Sequence, residues 1–235
     1  MQKFNEKSHP RMLFRPRSFE RRNSRLTVSQ KRALMECWPQ FGLQFEYGKI
    51  FYEHIFGRKA PCFLEIGFGF GQSLLALADA HRDKNFIGIE THKPGIGALF
   101  YGARSKGLTN IRVYECDAVD VLEQCIPDNS LEGIQLFFPD PWPKRRHHVR
   151  RLIQAGLISR VVELLKPQGS LHLATDWDDY AAHMLRILSQ EKRLFNLAGE
   201  GQFAGRSPYR PVLTKFEIRA RREGRQIWEL QACKV

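Results

Sequence analysis

Short apolar runs alternate with stretches of helical periodicity from residue 61 to residue 190. Each apolar run stops at a glycine, a proline or a charged residue, as expected for a short buried strand. Between the runs, apolar side chains recur on one helical face, most clearly at Leu157, Ile158, Val161 and Val162. The pattern predicts strands at 62–67, 85–90, 111–116, 133–138 and 170–175, and helices at 72–81, 94–106, from Asp117 onward, at 157–165 and at 180–188.

Two further elements flank this alternation. Thr27–Gln30 has the spacing of a capping box and predicts a short helix that runs to Pro39. Near the other end, residues 215–222 and 226–233 surround Glu223-Gly224-Arg225 and predict an antiparallel hairpin. Five βα units followed by a hairpin indicate an α/β fold, with a Rossmann-like, doubly wound, mostly parallel sheet and an antiparallel C-terminal hairpin. We expect one domain over residues 27–235, preceded by a basic, flexible arm at residues 1–26.

Positive charge is concentrated in three segments of this 235-residue chain, whose formal net charge is +12. Residues 1–32 carry ten basic and two acidic side chains, and residues 206–225 carry seven basic and two acidic ones. Residues 144–151 carry five basic side chains and none that is acidic, so the rest of the chain has a net charge of −6. Segregated positive charge favours a polyanionic partner such as a nucleic acid, and a solvated basic surface is the alternative.

Composition excludes several other classes of protein. The chain is 43% hydrophobic and 26% charged, which are ordinary values for a globular domain. We find no run of about 18 apolar residues and no apolar segment at the start, so we expect no membrane-spanning helix and no secretory signal. The five cysteines form no CxxC pair, so we expect reduced thiols, a cytoplasmic protein and no metal site. The sequence leaves open a monomer or a homodimer.

The first predicted strand of the alternation ends in a glycine-rich turn, Gly67-Phe68-Gly69-Phe70-Gly71. Alternating glycines let a ligand approach the backbone closely, although a purely structural turn is the alternative. The dinucleotide fingerprint needs a glycine where Gln72 stands, so the turn fits a nucleoside better than a pyrophosphate. Glu90, at the end of the next strand, can accept hydrogen bonds from ribose hydroxyls or serve as a surface acid. Asp117 can bind an adenine amino group or cap a helix.

A proline-rich loop follows the fourth of these strands, with the sequence Pro139-Asp140-Pro141-Trp142-Pro143. Three prolines in five residues predict a rigid loop at the point where the strand order reverses. The loop presents a carboxylate and a large aromatic ring directly before the basic segment KRRHHVRR at residues 144–151. Trp142 or Phe216 can stack on a nucleic-acid base, and a place in the core is the alternative for each.

With these residues in place, the sequence resembles the class I S-adenosylmethionine-dependent methyltransferases, and among them the bacterial tRNA (guanine-N7)-methyltransferases. The resemblance extends from residue 17 to residue 217, and its most specific part is PDPWPKRRHHVRRL. Val149 departs from the pattern by interrupting the basic run. The other matching segments are RSFERRNSRLT, FLEIGFGFG, FIGIE, HLATDW and Thr214-Lys215-Phe216-Glu217.

The resemblance implies an enzyme that methylates N7 of the guanosine at position 46, in the variable loop of tRNA, with S-adenosylmethionine as cofactor. It implies that Asp140 is the catalytic residue. The implied cofactor contacts are Glu65, Gly67, Gly69, Glu90, Asp117 and Asp140. The implied substrate contacts are Lys144, Asp176, Thr214, Lys215, Phe216 and Glu217. The implied RNA contacts are Arg146, His147, His148, Arg150 and Arg151.

Two rival functions share part of this pattern. A nicotinamide-dependent oxidoreductase also begins with a βαβ unit and an acid such as Glu90, but Gln72 and the proline-rich loop argue against it. A non-catalytic RNA-binding module explains the positive charge but not the acids and glycines at the strand ends. The basic N-terminus also has the composition of an organellar transit peptide, although it matches the family's own N-terminal segment.

Overall fold

The computed structural model describes residues 25–46, 48–207, 210 and 212–235. The predicted basic arm at residues 1–26 therefore lies outside the described residues, except for Arg25 and Leu26. The helices are α1 (Val28–Phe41), α2 (Tyr52–Phe56), α3 (Gln72–Ala80), α4 (Lys93–Ser105), α5 (Ala118–Gln124), α6 (Ala155–Leu164), α7 (Asp178–Gln190) and α8 (Lys215–Arg222), with a 3-10 helix at Arg145–Arg150. The strands are β1 (Gly42–Leu43), β2 (Cys62–Ile66), β3 (Asn85–Ile89), β4 (Ile111–Tyr114), β5 (Leu131–Phe137), β6 (Leu165–Thr175), β7 (Leu194–Asn196) and β8 (Trp228–Lys234).

The described strands form one mixed sheet in the order β1-β4-β3-β2-β5-β6-β8-β7. The strands from β1 to β6 pair in parallel, and β2 lies between β3 and β5. The order of the strands therefore reverses at β2, which makes the crevice between β2 and β5 the switch point where ligands of such sheets bind. This arrangement confirms the predicted doubly wound, mostly parallel fold.

The antiparallel part of the sheet is confirmed, but one of its predicted strands is wrong. β8 runs antiparallel to both β6 and β7, so β7 and β8 form the antiparallel C-terminal pair, with α8 in the connection between them. Residues 215–222, predicted as a strand, form helix α8. The Thr214 hydroxyl caps this helix by accepting a hydrogen bond from the Glu217 N–H at 3.2 Å. A threonine three positions before a glutamate is typical of a helix start. This local signal outweighs the alternation of apolar and polar side chains in residues 215–222.

One predicted helix start is confirmed, whereas two helices do not end at the prolines predicted to stop them. The predicted capping box is confirmed, because the Thr27 hydroxyl accepts from the Gln30 N–H at 3.2 Å and the Gln30 side chain accepts from the Thr27 N–H at 2.9 Å. The helix that it starts continues past Pro39 to Phe41. At the end of α6, the backbone enters β6 at Leu165, before the predicted break at Pro167–Gly169.

Helices cover both faces of the sheet. On one face, α1, α3 and α4 bury Phe41, Leu74 and Phe100 in one apolar cluster. On the other face, α5, α6 and α7 pack around a second cluster that includes Val121 and Ile158. The part of the chain that the structure describes contains no helix with both the length and the apolar character needed to cross a membrane.

Candidate active site

The glycine-rich turn between β2 and α3 has a backbone that only glycine adopts easily. Gly67 and Gly69 have φ angles of 69° and 57°, in the left-handed region. A Cβ atom at either position would meet no other atom within 4 Å, so open space lies beside both residues. The turn therefore leaves room for a ligand next to its backbone.

Helix α4 presses against this turn from one side. Gly95, in the first turn of α4, lies so close to the Gly69 carbonyl that a Cβ atom at position 95 would overlap its oxygen. Two residues further on, a Cβ at Gly97 would come within 2.8 Å of the Gln30 carbonyl oxygen in α1. Small residues on α4 thus allow α1, α4 and the glycine-rich turn to pack without a gap.

The Glu90 carboxylate holds the same turn through its backbone. Its Oε2 accepts a hydrogen bond from the Gly69 N–H at 2.8 Å, and its Oε1 accepts from the N–H groups of Thr91 and His92 at 2.7 and 3.0 Å. The side chain is half-buried. Glu90 is therefore fixed at the end of β3, with its carboxylate at the edge of the glycine-rich turn.

Glu65, on β2, is a buried acid next to Glu90. Its side chain is only 3% exposed, and its Oε2 has no hydrogen-bond partner among the described residues. Burial raises the pKa of Glu65 to about 8, and the negative charge of Glu90 adds to this effect. A buried carboxyl with a free oxygen has a place for a polar or cationic ligand group.

The raised pKa of Glu65 predicts a pH-dependent stability. The unfolded chain loses this proton near the usual value of 4.5, whereas the native protein keeps it until about pH 8. The free energy of unfolding therefore falls as the pH rises between these values, by at most about 1.4 kcal/mol per pH unit. Glu65→Gln removes this fall. Urea denaturation at several pH values measures it, with Glu200→Gln, an exposed position, as the control. Equal pH slopes for the wild type and Glu65→Gln would contradict it.

Asp117 follows β4 and caps a helix, as one of the two alternatives predicted. Its Oδ1 accepts a hydrogen bond from the Val119 N–H at 3.0 Å at the start of α5. The side chain is half-buried at the ends of the strands. Capping accounts for one lone pair and does not exclude a ligand on another.

The proline-rich loop after β5 has an unusual backbone. Phe138 and Trp142 adopt φ angles of 52° and 47°, which are uncommon for residues other than glycine. The Phe138 N–H donates to the Ala174 carbonyl of β6 at 2.8 Å, which holds the start of the loop on the sheet. Between these two residues, Asp140 is half-buried at the carboxyl end of β5. Residues with strained backbone angles are concentrated at functional sites.

Trp142 belongs to the core, which is the alternative to base stacking. Its side chain is 7% exposed. The edge of His147 faces its ring at 5.9 Å between centroids, and the Arg150 guanidinium lies 4.9 Å from its centroid. Trp142 therefore fixes the 3-10 helix of the basic segment against the loop.

The basic segment divides into an exposed part and a buried anchor. Lys144, Arg146 and Arg150 are exposed, and His147 and His148 are half-buried. Arg151 is 2% exposed, which corrects its expected place on the RNA-facing surface. Its guanidinium donates to the Pro141 carbonyl at 2.9 Å, binds the Asp179 carboxylate and stacks on Tyr180 at 4.8 Å.

Asp176, directly after β6, adds a further carboxylate to the strand ends. It pairs with Arg225 at 3.0 Å and is half-buried. Together with Glu90, Asp117 and Asp140, it places an acid at the end of each parallel strand from β3 to β6. The sheet thus collects at one edge acids that are far apart in the sequence.

The first turn of α8 reaches over this edge. The Lys215 ammonium lies 4.2 Å from the ring centroid of Phe70 in the glycine-rich turn. The Phe216 ring lies nearly parallel to that of Phe138, with 6.4 Å between centroids, and is 43% exposed. Sequence reasoning missed Phe70 and Phe138 as site residues, although both flank residues that it identified.

Glu217, which the family resemblance implies as a substrate contact, is buried and does not reach the surface. Its side chain is 1% exposed and binds three arginines, Arg206, Arg210 and Arg221. Arg210, which sequence reasoning also missed, is 2% exposed. An arginine within a basic segment gives no sequence signal of burial, because burial of a cation depends on partners brought by the fold.

The residues around the switch point fit a nucleoside cofactor that carries positive charge. Open space lies beside Gly67 and Gly69, and the unpaired Oε2 of Glu65 can accept a hydrogen bond from such a group. Within the described residues, no group of three or more His, Cys, Asp or Glu side chains is arranged to hold a metal ion.

Solved structures support the fold. The 16S rRNA methyltransferase KamB matches with a TM-score of 0.55 at 12% identity, over 78% of this chain and 92% of that one. The aminoglycoside resistance methyltransferase NpmB1 matches with a TM-score of 0.52 at 16% identity, over 78% and 91% of the two chains. At such identities, these similarities establish a class I methyltransferase fold and nothing finer.

Sequence comparisons establish the family. The family model described as "Putative methyltransferase" matches residues 59–230. A tRNA (guanine-N(7)-)-methyltransferase of Hydrogenovibrio crunogenus is 49% identical, over 92% of this chain and 90% of its own length. One of Alcanivorax borkumensis is 50% identical, over 91% and 89% of the two chains. The chain therefore belongs to the tRNA (guanine-N7)-methyltransferase family, as its sequence motifs indicated.

Proposed function

We propose that this protein transfers a methyl group from S-adenosylmethionine to N7 of the guanosine at position 46 of tRNA. One observation carries the proposal: acids follow the parallel strands β3 to β6 at the sheet edge where the open glycine-rich turn follows β2, and the exposed cations of residues 144–150 come shortly after β5 in the chain. Acids suit a sulfonium cofactor and a guanine edge, whereas the cations suit RNA phosphates.

The proposed cofactor site is formed by Glu65, Glu90, Asp117 and the backbone of Gly67 and Gly69. Glu90 and Asp117 are the acids suited to the ribose hydroxyls and the adenine amino group. The free Oε2 of Glu65 can accept a hydrogen bond from a cationic group of the cofactor, whose positive charge would also favour loss of the Glu65 proton. When bound, S-adenosylmethionine supplies an electrophilic methyl group carried on sulfur.

The target atom sets the role of Asp140. Guanine N7 has a lone pair and no proton, so its attack on a methyl group needs no general base. The purine becomes positively charged as the methyl group arrives. In this proposal Asp140 orients the reacting groups and stabilises the developing cation, and most of the rate enhancement comes from positioning.

Guanine recognition in this proposal uses the acid after β6 and an aromatic ring of α8. Asp176 can accept hydrogen bonds from guanine N1 and the exocyclic amine, an edge that adenine lacks. Its present partner Arg225, 3.0 Å away, would have to share or release it. Phe216, exposed and near-parallel to Phe138, can stack on the base. Lys144 and Lys215 supply positive charge near the adjacent phosphates.

The exposed cations of the 3-10 helix predict a salt-dependent contribution to tRNA binding. Arg146→Ala removes an exposed side chain, so we expect tRNA affinity to fall and the slope of log affinity against log salt to flatten by about one unit. Filter binding or fluorescence titration from low to moderate salt measures this slope. Lys192→Ala, at an exposed position after the end of α7, is the matched control and should keep the wild-type slope. An unchanged slope for Arg146→Ala would exclude a phosphate contact there.

A methyl-transfer assay tests the proposed function. Purified protein is incubated with labelled S-adenosylmethionine and total tRNA, and the product is cleaved chemically at 7-methylguanosine to locate the modified nucleotide. Cleavage at position 46 is expected. Cleavage elsewhere would overturn the position, and the absence of labelled tRNA would overturn the function. Calorimetry with S-adenosylhomocysteine and with NADH then separates this cofactor from that of a nicotinamide enzyme.

A further inference from the structure

A buried arginine joins α8 to the sheet. Arg210 is 2% exposed, and its guanidinium binds the carboxylate of Glu217 in α8 while lying 3.1 Å from Oε1 of Glu229 in β8. Its guanidinium carbon also lies 5.4 Å from the ring centroid of Phe137 and 5.2 Å from that of Phe138. A planar guanidinium bridges two carboxylates with a fixed geometry, whereas a lysine offers a single nitrogen on a flexible stem.

Both carboxylates have further partners, so the cluster is compensated. Glu217 also binds Arg206 and Arg221. Oε2 of Glu229 lies 2.8 Å from Nε2 of His172 and accepts from the Ser207 N–H at 3.1 Å. Nη1 of Arg210 makes no hydrogen bond among the described residues, so its link to Glu229 is an ion pair. Loss of either partner would leave an uncompensated buried charge, which is strongly unfavourable.

The pKa of Glu229 agrees with this geometry. Burial alone raises the pKa of Glu229, but the hydrogen bond with His172 and the charge of Arg210 outweigh it, so the net pKa of this carboxyl lies below its usual value. Glu229 is therefore an anion in the folded protein at neutral pH, and it holds the guanidinium of Arg210 as its counter-ion.

The anchored helix reaches the site through its first turn. Lys215 contacts Phe70 beside the end of β2, and Phe216 faces Phe138 at the end of β5. Glu217 is the next residue in the chain, so its fixed carboxylate determines where these two side chains lie. The same arginine touches Phe138 directly, which links the anchor to the loop that carries Asp140.

We propose that Arg210 is a positioning residue for tRNA methylation: by binding Glu217 and Glu229 together, it fixes the first turn of α8 across the ends of β2 and β5. The inference rests on the proposed function and deepens it. It gives Glu217 an internal role, as the anchor of the turn that presents Lys215 and Phe216 to the substrate. Arg210 acts through these residues and does not itself contact the reacting atoms.

Three variants test the role of Arg210. Arg210→Met removes the charge and the donors, Arg210→Lys keeps the charge but loses the planar fork, and Arg193→Met is the control. Arg193 is also ion-paired, to Glu191, but it lies outside the site. The measurements are kcat and KM for tRNA, the Kd of S-adenosylhomocysteine, and hydrogen exchange of the amides in α8 and in β2–β5.

A positioning role predicts that the kinetic constants for tRNA and the exchange in α8 change, whereas cofactor binding and exchange in β2–β5 do not. In Arg210→Met, KM for tRNA rises and kcat falls, each by about tenfold, and exchange accelerates in α8. The Kd of S-adenosylhomocysteine stays within about twofold and exchange in β2–β5 is unchanged, because the hydrogen bonds of Glu90 that hold the glycine-rich turn do not involve α8. The kcat, the KM for tRNA and the exchange rates in α8 of Arg210→Lys lie between those of the wild type and Arg210→Met. Arg193→Met has the wild-type values.

Other outcomes overturn the inference. Unchanged kinetics in Arg210→Met, or equally faster exchange in α8 and β2–β5 with weaker cofactor binding, would show that Arg210 does not position the site. If Arg210→Met does not fold, the same measurements are made on Arg210→Lys and on the charge-matched double variant Arg210→Met/Glu217→Gln, and the same outcomes support or overturn the inference. If the wild type does not methylate tRNA, the proposed function fails, while the exchange data still decide whether Arg210 anchors α8.

Discussion

Asp140→Ala is expected to lower kcat for tRNA methylation by about two to three orders of magnitude, the effect of removing one preorganised electrostatic group. Asp140 stands between the two strained residues Phe138 and Trp142 in the proline-rich loop after β5, so its backbone is held in place before the substrate arrives. The measurement is single-turnover methylation with saturating cofactor and tRNA. Asp83→Ala, at an exposed position before β3, is the control and should retain wild-type turnover.

Two further measurements distinguish electrostatic stabilisation by Asp140 from general-base catalysis. Asp140→Asn keeps the shape and a hydrogen-bonding oxygen, so it should retain more activity than Asp140→Ala. Because guanine N7 has no proton to give up, turnover of the wild type should change little with pH near neutrality. A steep fall that follows the titration of a carboxyl group, together with equal losses in both variants, would instead support a general base.

Gly95→Ala is the second substitution with a large expected effect. The new Cβ would overlap the Gly69 carbonyl oxygen, and neither backbone can move without disturbing the turn that Glu90 holds. Overpacking of this kind costs about 1–3 kcal/mol. If it is absorbed at the turn, affinity for S-adenosylhomocysteine falls by about tenfold to a hundredfold, and calorimetry measures the loss.

The control for Gly95→Ala is the same substitution at another helix start. Gly156 lies in the first turn of α6 and is exposed, and a Cβ atom at this position would meet no other atom within 4 Å. Gly156→Ala should keep the wild-type affinity and raise the free energy of unfolding slightly, because alanine is the better helix former. Wild-type affinity in Gly95→Ala would show that α4 can shift away from the turn.

Local sequence signals predicted most of the fold. The alternation of apolar runs and helical stretches located β2 to β6 and the helices between them, since burial between two helical layers leaves such strands uniformly apolar. The cap at Thr214 was the exception. It predicts a helix as Thr27 does, but the alternating apolar residues after Lys215 and the turn at Glu223-Gly224-Arg225 favoured a hairpin. β8 instead pairs with β6 and with β7, and the short sequence of β7 carries little signal of its own.

Charged residues show the limit of sequence-based site prediction. Glu217 and Arg151 lie in segments that the family resemblance assigns to the substrate and to RNA, and both are buried. Burial of a charged side chain requires partners of opposite charge at short range. Those partners, Arg210 and Asp179, are separated from them along the chain and meet them only in the folded protein.

The order of strands and helices from β2 to α7, the open glycine-rich turn, the rigid loop around Asp140 and the segregation of positive charge all follow from the amino-acid sequence. These features depend on backbone preferences, side-chain periodicity and composition, which act over a few neighbouring residues. Which charges face the site depends on the folded chain. The fold gathers Glu90, Asp117, Asp140 and Asp176 at one edge of the sheet, and it withdraws Glu217 into the Arg210 cluster, because pairing in a buried environment depends on distances in space.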